Sequence, residues 1–132
     1  MNWSKALIAG VAGGVVVWVA DFVFYGLILG NTHASYPIFR QDANPVVFLV
    51  PVLFMSIAAA ILFAKTRSSW GAGLAGGASF GFYLGLVGAF AQFFNSLIFE
   101  GFPYFLDWCW GGTTLIVTVI LGAVLGLVYK ES

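Results

Sequence analysis

Few side chains in this sequence are placed to do chemistry, and Asp21 leads them. The chain of 132 residues has only five Asp and Glu, five Lys and Arg and one His. Asp21 is the one acid well inside an apolar stretch. Counted from Lys5 at about 1.5 Å per helical residue, it lies roughly 24 Å along a helix, in the outer half of a membrane. An Asp at a helix centre costs about 2.5–3.5 kcal/mol on insertion scales and less near the surface, so it faces the bundle or a cavity and takes a partner. Gly10, Gly14, Val17, Asp21 and Tyr25 fall roughly on one helical face. Further along, Gly81, Gly85, Gly88 and Gln92 follow at helical spacing, and Asn95 continues that line. One reading makes Asp21, Tyr25, Gln92 and Asn95 a polar ligand or ion pocket in the outer half of the membrane. The other has them hydrogen-bonding across helices or reaching interfacial water.

Other chemistry finds less support. His33, Glu100, Asp107 and Cys109 are expected at the outer surface, but no pair shows metal-ligand spacing such as H-x-x-x-H or C-x-x-C, so no metal site is assigned. With His33 as the only histidine, no catalytic triad assembles unless the long outer loop folds over the bundle. Cys109 is the single cysteine, which excludes an intrachain disulfide. Gly71-x-Gly73-x-x-Gly76 fits the dinucleotide fingerprint letter for letter, yet no strand precedes it and no acid follows before Glu100. No catalytic residue is assigned, no enzyme is expected and no cofactor can be named. A formal charge of zero supplies no basic field for nucleic acid.

The elements that position these residues follow from composition. The chain is 61% hydrophobic and 8% charged, where globular proteins average about 25% charged. This predicts an all-α integral membrane protein, a single domain over 1–132, built as a bundle of four transmembrane helices. The spans are expected at about 6–30, 45–64, 70–99 and 108–129. A signal peptide competes for the first, with Lys5 before it and Thr32-His33-Ala34 after it. The stretch is longer than an ordinary signal core of roughly 7–15 residues and contains Asp21, which favours a true span. Asn31 to Asn44 is the longest polar connection, Pro45 opens the second helix, and Pro51 is expected to kink or loosen it.

The stretch from Trp70 to Phe99 contains no Asp, Glu, Lys or Arg. Gly73, Gly77, Gly81, Gly85 and Ala89 recur in it every fourth residue. Gly10 and Gly14 in the first helix, and Thr114, Thr118, Gly122 and Gly126 in the fourth, form similar stripes. Lipid does not push helices together, so close backbone approach at small residues must hold them. The third helix is therefore expected to be the hub, packed against a neighbour in the same chain or in another copy. Lys5, Lys65, Arg67 and Lys130 fall on one side and only Arg40 on the other, which predicts cytoplasmic N- and C-termini. Trp3, Trp70 and Tyr129 would then mark the inner interface, Trp108 and Trp110 the outer. Residues 9–14 and 72–77 are alike, consistent with a parallel duplication of a helical hairpin.

Two stretches carry a resemblance. Phe24-Tyr25-Gly26-Leu27-Ile28-Leu29-Gly30 resembles the Y-S-P-L-L-F-G signature of the DUF1761 family of small bacterial four-helix membrane proteins. Asn95-Ser96-Leu97-Ile98-Phe99-Glu100-Gly101-Phe102-Pro103 resembles that family's N-x-L-F-E-G-x-P segment, and the Gly122-Ala123-Val124-Leu125-Gly126 ending is similar too. The sequence departs at Gly26, where the family tends to have Pro, and in having Asp21. The resemblance implies four spans and a multi-pass protein of the bacterial inner membrane. It transfers no active site, because the family's function is unknown.

Three functional classes follow. The favoured one is a non-enzymatic protein that assembles with itself, as a homo-oligomer, or serves as a subunit of a larger membrane complex, with the lipid bilayer as its surroundings. The second is a small oligomeric transporter or channel using Asp21, Gln92 and Asn95. The third is a membrane enzyme acting on a lipid or quinone. A continuous polar path to the cytoplasm would favour transport, and a dry inner half would favour the scaffold.

Overall fold

A computed structural model describes residues 1–40, 42 and 44–129. Lys130, one of the basic residues behind the expected orientation, lies outside the described residues. Among them there is no strand, and four helices are long and apolar enough to cross a membrane: Trp3–Ile28, Pro45–Lys65, Gly73–Ile98 and Tyr104–Val128.

Local chemistry moves the boundaries from their expected places. The first helix starts at Trp3 rather than Ala6 because the Asn2 side chain caps it, accepting from the Lys5 backbone N–H. It is α-helical to Asp21 and widens into a π-helical turn over Phe22–Ile28. The second helix opens with a 3₁₀ turn, Pro45–Phe48, capped by Asn44, and becomes α-helical at Leu49. Pro51 thus sits in the first α-helical turn, where a missing N–H is tolerated. The third helix begins at Gly73, three residues later than expected, and is α-helical to Ala91. A 3₁₀ turn over Gln92–Phe94 and a last turn over Asn95–Ile98 end it. The fourth begins at Tyr104, not Trp108, directly after the extended Pro103.

The helices stand in the order second, first, fourth, third: the first packs on the second, the fourth on the third, and the first and fourth join the two pairs. The expected hub is therefore displaced. The third helix lies at one edge and has one principal neighbour, because Gly77, Gly81, Gly85 and Gly88 all face the fourth helix. The fourth helix is central. It offers Gly122 and Gly126 to the third helix, while Leu121 reaches the first beside Gly13.

Both described chain ends meet at one end of the bundle, where the Asn2 backbone N–H donates to the Tyr129 hydroxyl at 3.1 Å. We call this the terminal end and the other the distal end. Tyr129 is buried instead of marking an interface. Ala6, Ala9, Ala60, Phe63, Phe80, Leu121 and Leu125 join it in the core. Phe63 of the second helix meets Phe80 of the third at 5.1 Å between ring centroids. The turn closing this end is held by the Arg67 guanidinium, which donates to the Trp70 and Gly71 carbonyls at 3.1 Å each.

Backbones touch most closely here. A Cβ added at Gly77 would overlap the Gly122 carbonyl, and one at Gly81 the Thr118 carbonyl. Towards the distal end the same seam loosens. A Cβ at Gly85 would lie 3.0 Å from Leu115 Cδ1, and one at Gly111 would lie 3.1 Å from the Ala89 carbonyl oxygen. Gly10 and Gly14 face the second helix rather than continuing towards Asp21: a Cβ at Gly10 would lie 2.7 Å from Ile57 Cα, and one at Gly14 would lie 2.8 Å from Leu53 Cδ2. Gly73 has a different reason to be glycine. Its φ of 68° turns the chain into the third helix, and no atom would crowd its Cβ. Gly76 is tight against the Gly71 carbonyl, so the G-x-G-x-x-G letters reflect a helix entry.

Candidate functional site

The distal end gathers the polar and aromatic side chains. Asp21, half-buried, is the last α-helical residue before the π-turn. Tyr25 stands one turn on, with Asp21 and the Thr114 side chain as its polar neighbours. The connection after the first helix folds back over these residues. A short helix, Gly30–Ala34, returns His33 to the bundle, where its ring stacks on Tyr25 at 5.9 Å and 21°.

His33 is clasped through both ring nitrogens. Trp110 Nε1 lies 3.0 Å from His33 Nε2, and an indole N–H can only donate. Nε2 is therefore the acceptor, and Nδ1 carries the proton and donates to the Tyr25 carbonyl at 3.2 Å. The sole histidine thus ties the distal connection to the first and fourth helices. With both nitrogens committed, it is not arranged as a general base for a nucleophile.

Gln92 and Asn95 bond to each other. Asn95 Nδ2 donates to the Gln92 carbonyl at 3.0 Å and to its Oε1 at 3.1 Å, across the 3₁₀ turn. Asn95 also lines a cavity of about 300 Å³ with Ile38, Phe39, Phe99, Glu100, Phe102 and Trp110. Asp21, Tyr25 and Gln92 are not in that lining. The expected four-residue pocket is therefore divided: Tyr25 stands by His33 with Asp21 one turn before it, Asn95 lines the cavity with Gln92 bonded to it from outside the lining, and Trp110 touches both Tyr25 and the cavity.

Three rings make one corner of the cavity. Phe39 meets Phe102 at 5.7 Å and 81°, and Phe102 meets Trp110 at 5.0 Å and 80°. Phe39 and Trp110 are 5.7 Å apart and tilted by 40°. Gly101, at a φ of 82°, turns the connection between the third and fourth helices so that Glu100 precedes the buried Phe102.

The buried acid at this end is Asp107, which the sequence had placed at the surface. It is fully buried, with Ser96 Oγ donating to its Oδ2 and Oδ1 left without a partner. The earlier start of the fourth helix puts Asp107 in the first turn, where a negative charge is favoured by the helix dipole. Pro103 is the signal in the sequence for this entry, and a helix starting after it carries Asp107 inside the bundle. Among the described residues no three His, Cys, Asp or Glu side chains converge as metal ligands.

No family model matches this chain, and neither a curated protein nor a solved structure is similar to it.

Proposed function

We propose that this is a non-enzymatic membrane protein that assembles with copies of itself or serves as an accessory subunit of a larger membrane complex. The observation that carries the reading is the closed terminal half. Phe63, Phe80, Leu121 and Leu125 pack there with the Tyr129 ring, and the buried polar side chains among the described residues are Ser56, Thr113 and Asp107, of which Asp107 is the one that ionises. Among the described residues the terminal half then presents an apolar core to anything crossing one copy. Its edges stay apolar and uncovered, with Phe54 of the second helix 71% exposed and Val87 of the third likewise 71%. Those edges face lipid or a neighbour, and small-residue seams join helices without any help from water.

The same reading places both termini in the cytoplasm and the protein in the bacterial inner membrane, from the basic residues and the likeness to DUF1761 proteins. In a parallel duplication Gly14 corresponds to Gly77, and each lies against the other helix of its own hairpin. The small-transporter reading draws on the distal cavity and Asp21, and competes with the assembly reading at the closed half.

The test is to cross-link the full-length protein in native membranes and count copies and partners. A discrete homo-oligomer or one stoichiometric partner is expected. A monomer under every cross-linker, with no co-purifying protein, would sink the assembly reading.

A further inference from the structure

We infer that the distal cavity is a binding site for an alkylammonium cation, either a free organic ammonium ion or the ammonium of a lipid headgroup. The argument begins with what the lining can still offer a ligand. Phe102 stands nearly perpendicular to both Phe39 and Trp110 to form a corner, and Phe99 and Ile38 extend the apolar wall. The Trp110 N–H is already given to His33 and the Asn95 amide N–H to Gln92. The lining also brings the Phe99, Phe102 and Trp110 rings, the Asn95 side-chain Oδ1 and the Glu100 carboxylate, which are all electron-rich. No lining residue is cationic. Arg40, next to Phe39 in sequence, is highly exposed and turns to Asp42, 3.9 Å away.

Among the described lining residues the side-chain N–H groups are already given to protein acceptors, which disfavours an anion. A hard metal ion such as Ca²⁺ takes 6–8 oxygen ligands and would find few. A weakly hydrated ammonium ion suits both features at once: its alkyl groups fit against rings, its charge is attracted by their faces, and a carboxylate balances it. A volume of about 300 Å³ suits a small organic headgroup. The site lies at the ends of the helices, built from the two distal connections, within reach of the headgroup layer and of the aqueous phase. It is complete in one copy, so it stands whether or not the chain assembles.

The experiment is calorimetric titration of the full-length protein with choline and with 3,3-dimethylbutan-1-ol, its uncharged isostere. Both are run in nanodiscs of phosphatidylglycerol alone and in nanodiscs containing phosphatidylcholine. Choline should bind in phosphatidylglycerol, with the isostere at least about fivefold weaker. Glu100→Gln should weaken choline about threefold to tenfold. Glu100 is exposed, and an unchanged melting temperature checks that the fold is intact. Phe99→Leu, also at an exposed position, should weaken choline as well by removing a ring face. If phosphatidylcholine abolishes the choline signal, the natural occupant is a headgroup; if it does not, it is a free cation. Equal binding of choline and its isostere would overturn the proposal, because the cavity would then be only an apolar pocket. So would the absence of choline binding in phosphatidylglycerol.

Discussion

The two halves of this bundle use different physics. In the terminal half backbone meets backbone: Gly77 lies against Gly122 and Gly81 against Thr118 with no room for a methyl group. In the distal half side chains make most of the contacts between the helices, although Gly111 still lies close to the Ala89 carbonyl. Rings, a histidine clasp and a Ser–Asp pair fill the space between them. Because lipid adds no hydrophobic push, stability in the first half rests on dispersion at close approach, and in the second on directed hydrogen bonds. The difference explains where a cavity can exist. The seam between the third and fourth helices eases from backbone overlap at Gly77 to a still tight contact at Gly85, where a Cβ would lie 3.0 Å from Leu115 Cδ1, and the cavity lies at the distal connections.

The largest expected effect strikes the tight half. Gly77→Ala puts a methyl group into the Gly122 carbonyl, and backbone cannot yield as a flexible side chain can. A loss of about 3 kcal/mol or more is expected, at the upper end of overpacking costs. Gly112, in the distal part of the same seam's partner helix, has open space around its Cβ. Gly112→Ala should gain up to about 1 kcal/mol from helix propensity. Thermal melting of both variants in one detergent checks the pair. Equal effects would erase the contrast between the halves.

A smaller effect tests whether the distal half is dry around its buried acid. Ser96→Ala removes the one hydrogen bond that Asp107 receives, leaving both carboxylate oxygens unpaired. The expected loss is about 1–3 kcal/mol. Asp107→Asn keeps an acceptor for Ser96 and should cost less. If Ser96→Ala melts like the parent protein, water already reaches Asp107 and this half is wet.

The contrast was partly legible in the sequence. Fourfold glycine spacing named the residues at the tight seam, since period and residue size together decide how near two helices can come. It could not say that the third helix stands at an edge, because a stripe gives a face and not the number of neighbours. Gly10 and Gly14 showed the same limit: their spacing was plain, but helical drift carried Asp21 and Tyr25 towards a different neighbour. The distal site was less legible for a similar reason. His33, Phe39 and Trp110 are distant in sequence and meet only because the connection folds back, which no local periodicity encodes. Asp107 was missed through a helix boundary, and one turn moved it from surface to interior.

The smallest structural effect belongs to Asp21, and it bears most on function. Asp21 lies in the distal half and is only half-buried, beside Tyr25 at the start of the π-turn. Asn has nearly the same shape and hydrogen-bonding capacity but cannot ionise. If the residue only ties polar groups together, Asp21→Asn should change stability by less than about 1 kcal/mol, with cross-linking unaltered. A closed terminal half predicts more: proteoliposomes of the parent protein should pass neither protons nor monovalent cations under an imposed gradient, and the variant should match them. The measurement is flux for both forms beside their melting temperatures. A flux carried by the parent and lost in the Asn form, with the melting temperature unchanged, would mean that the apolar half opens during a working cycle. Asp21 would then be a proton or cation site, and the transporter reading would replace the assembly reading.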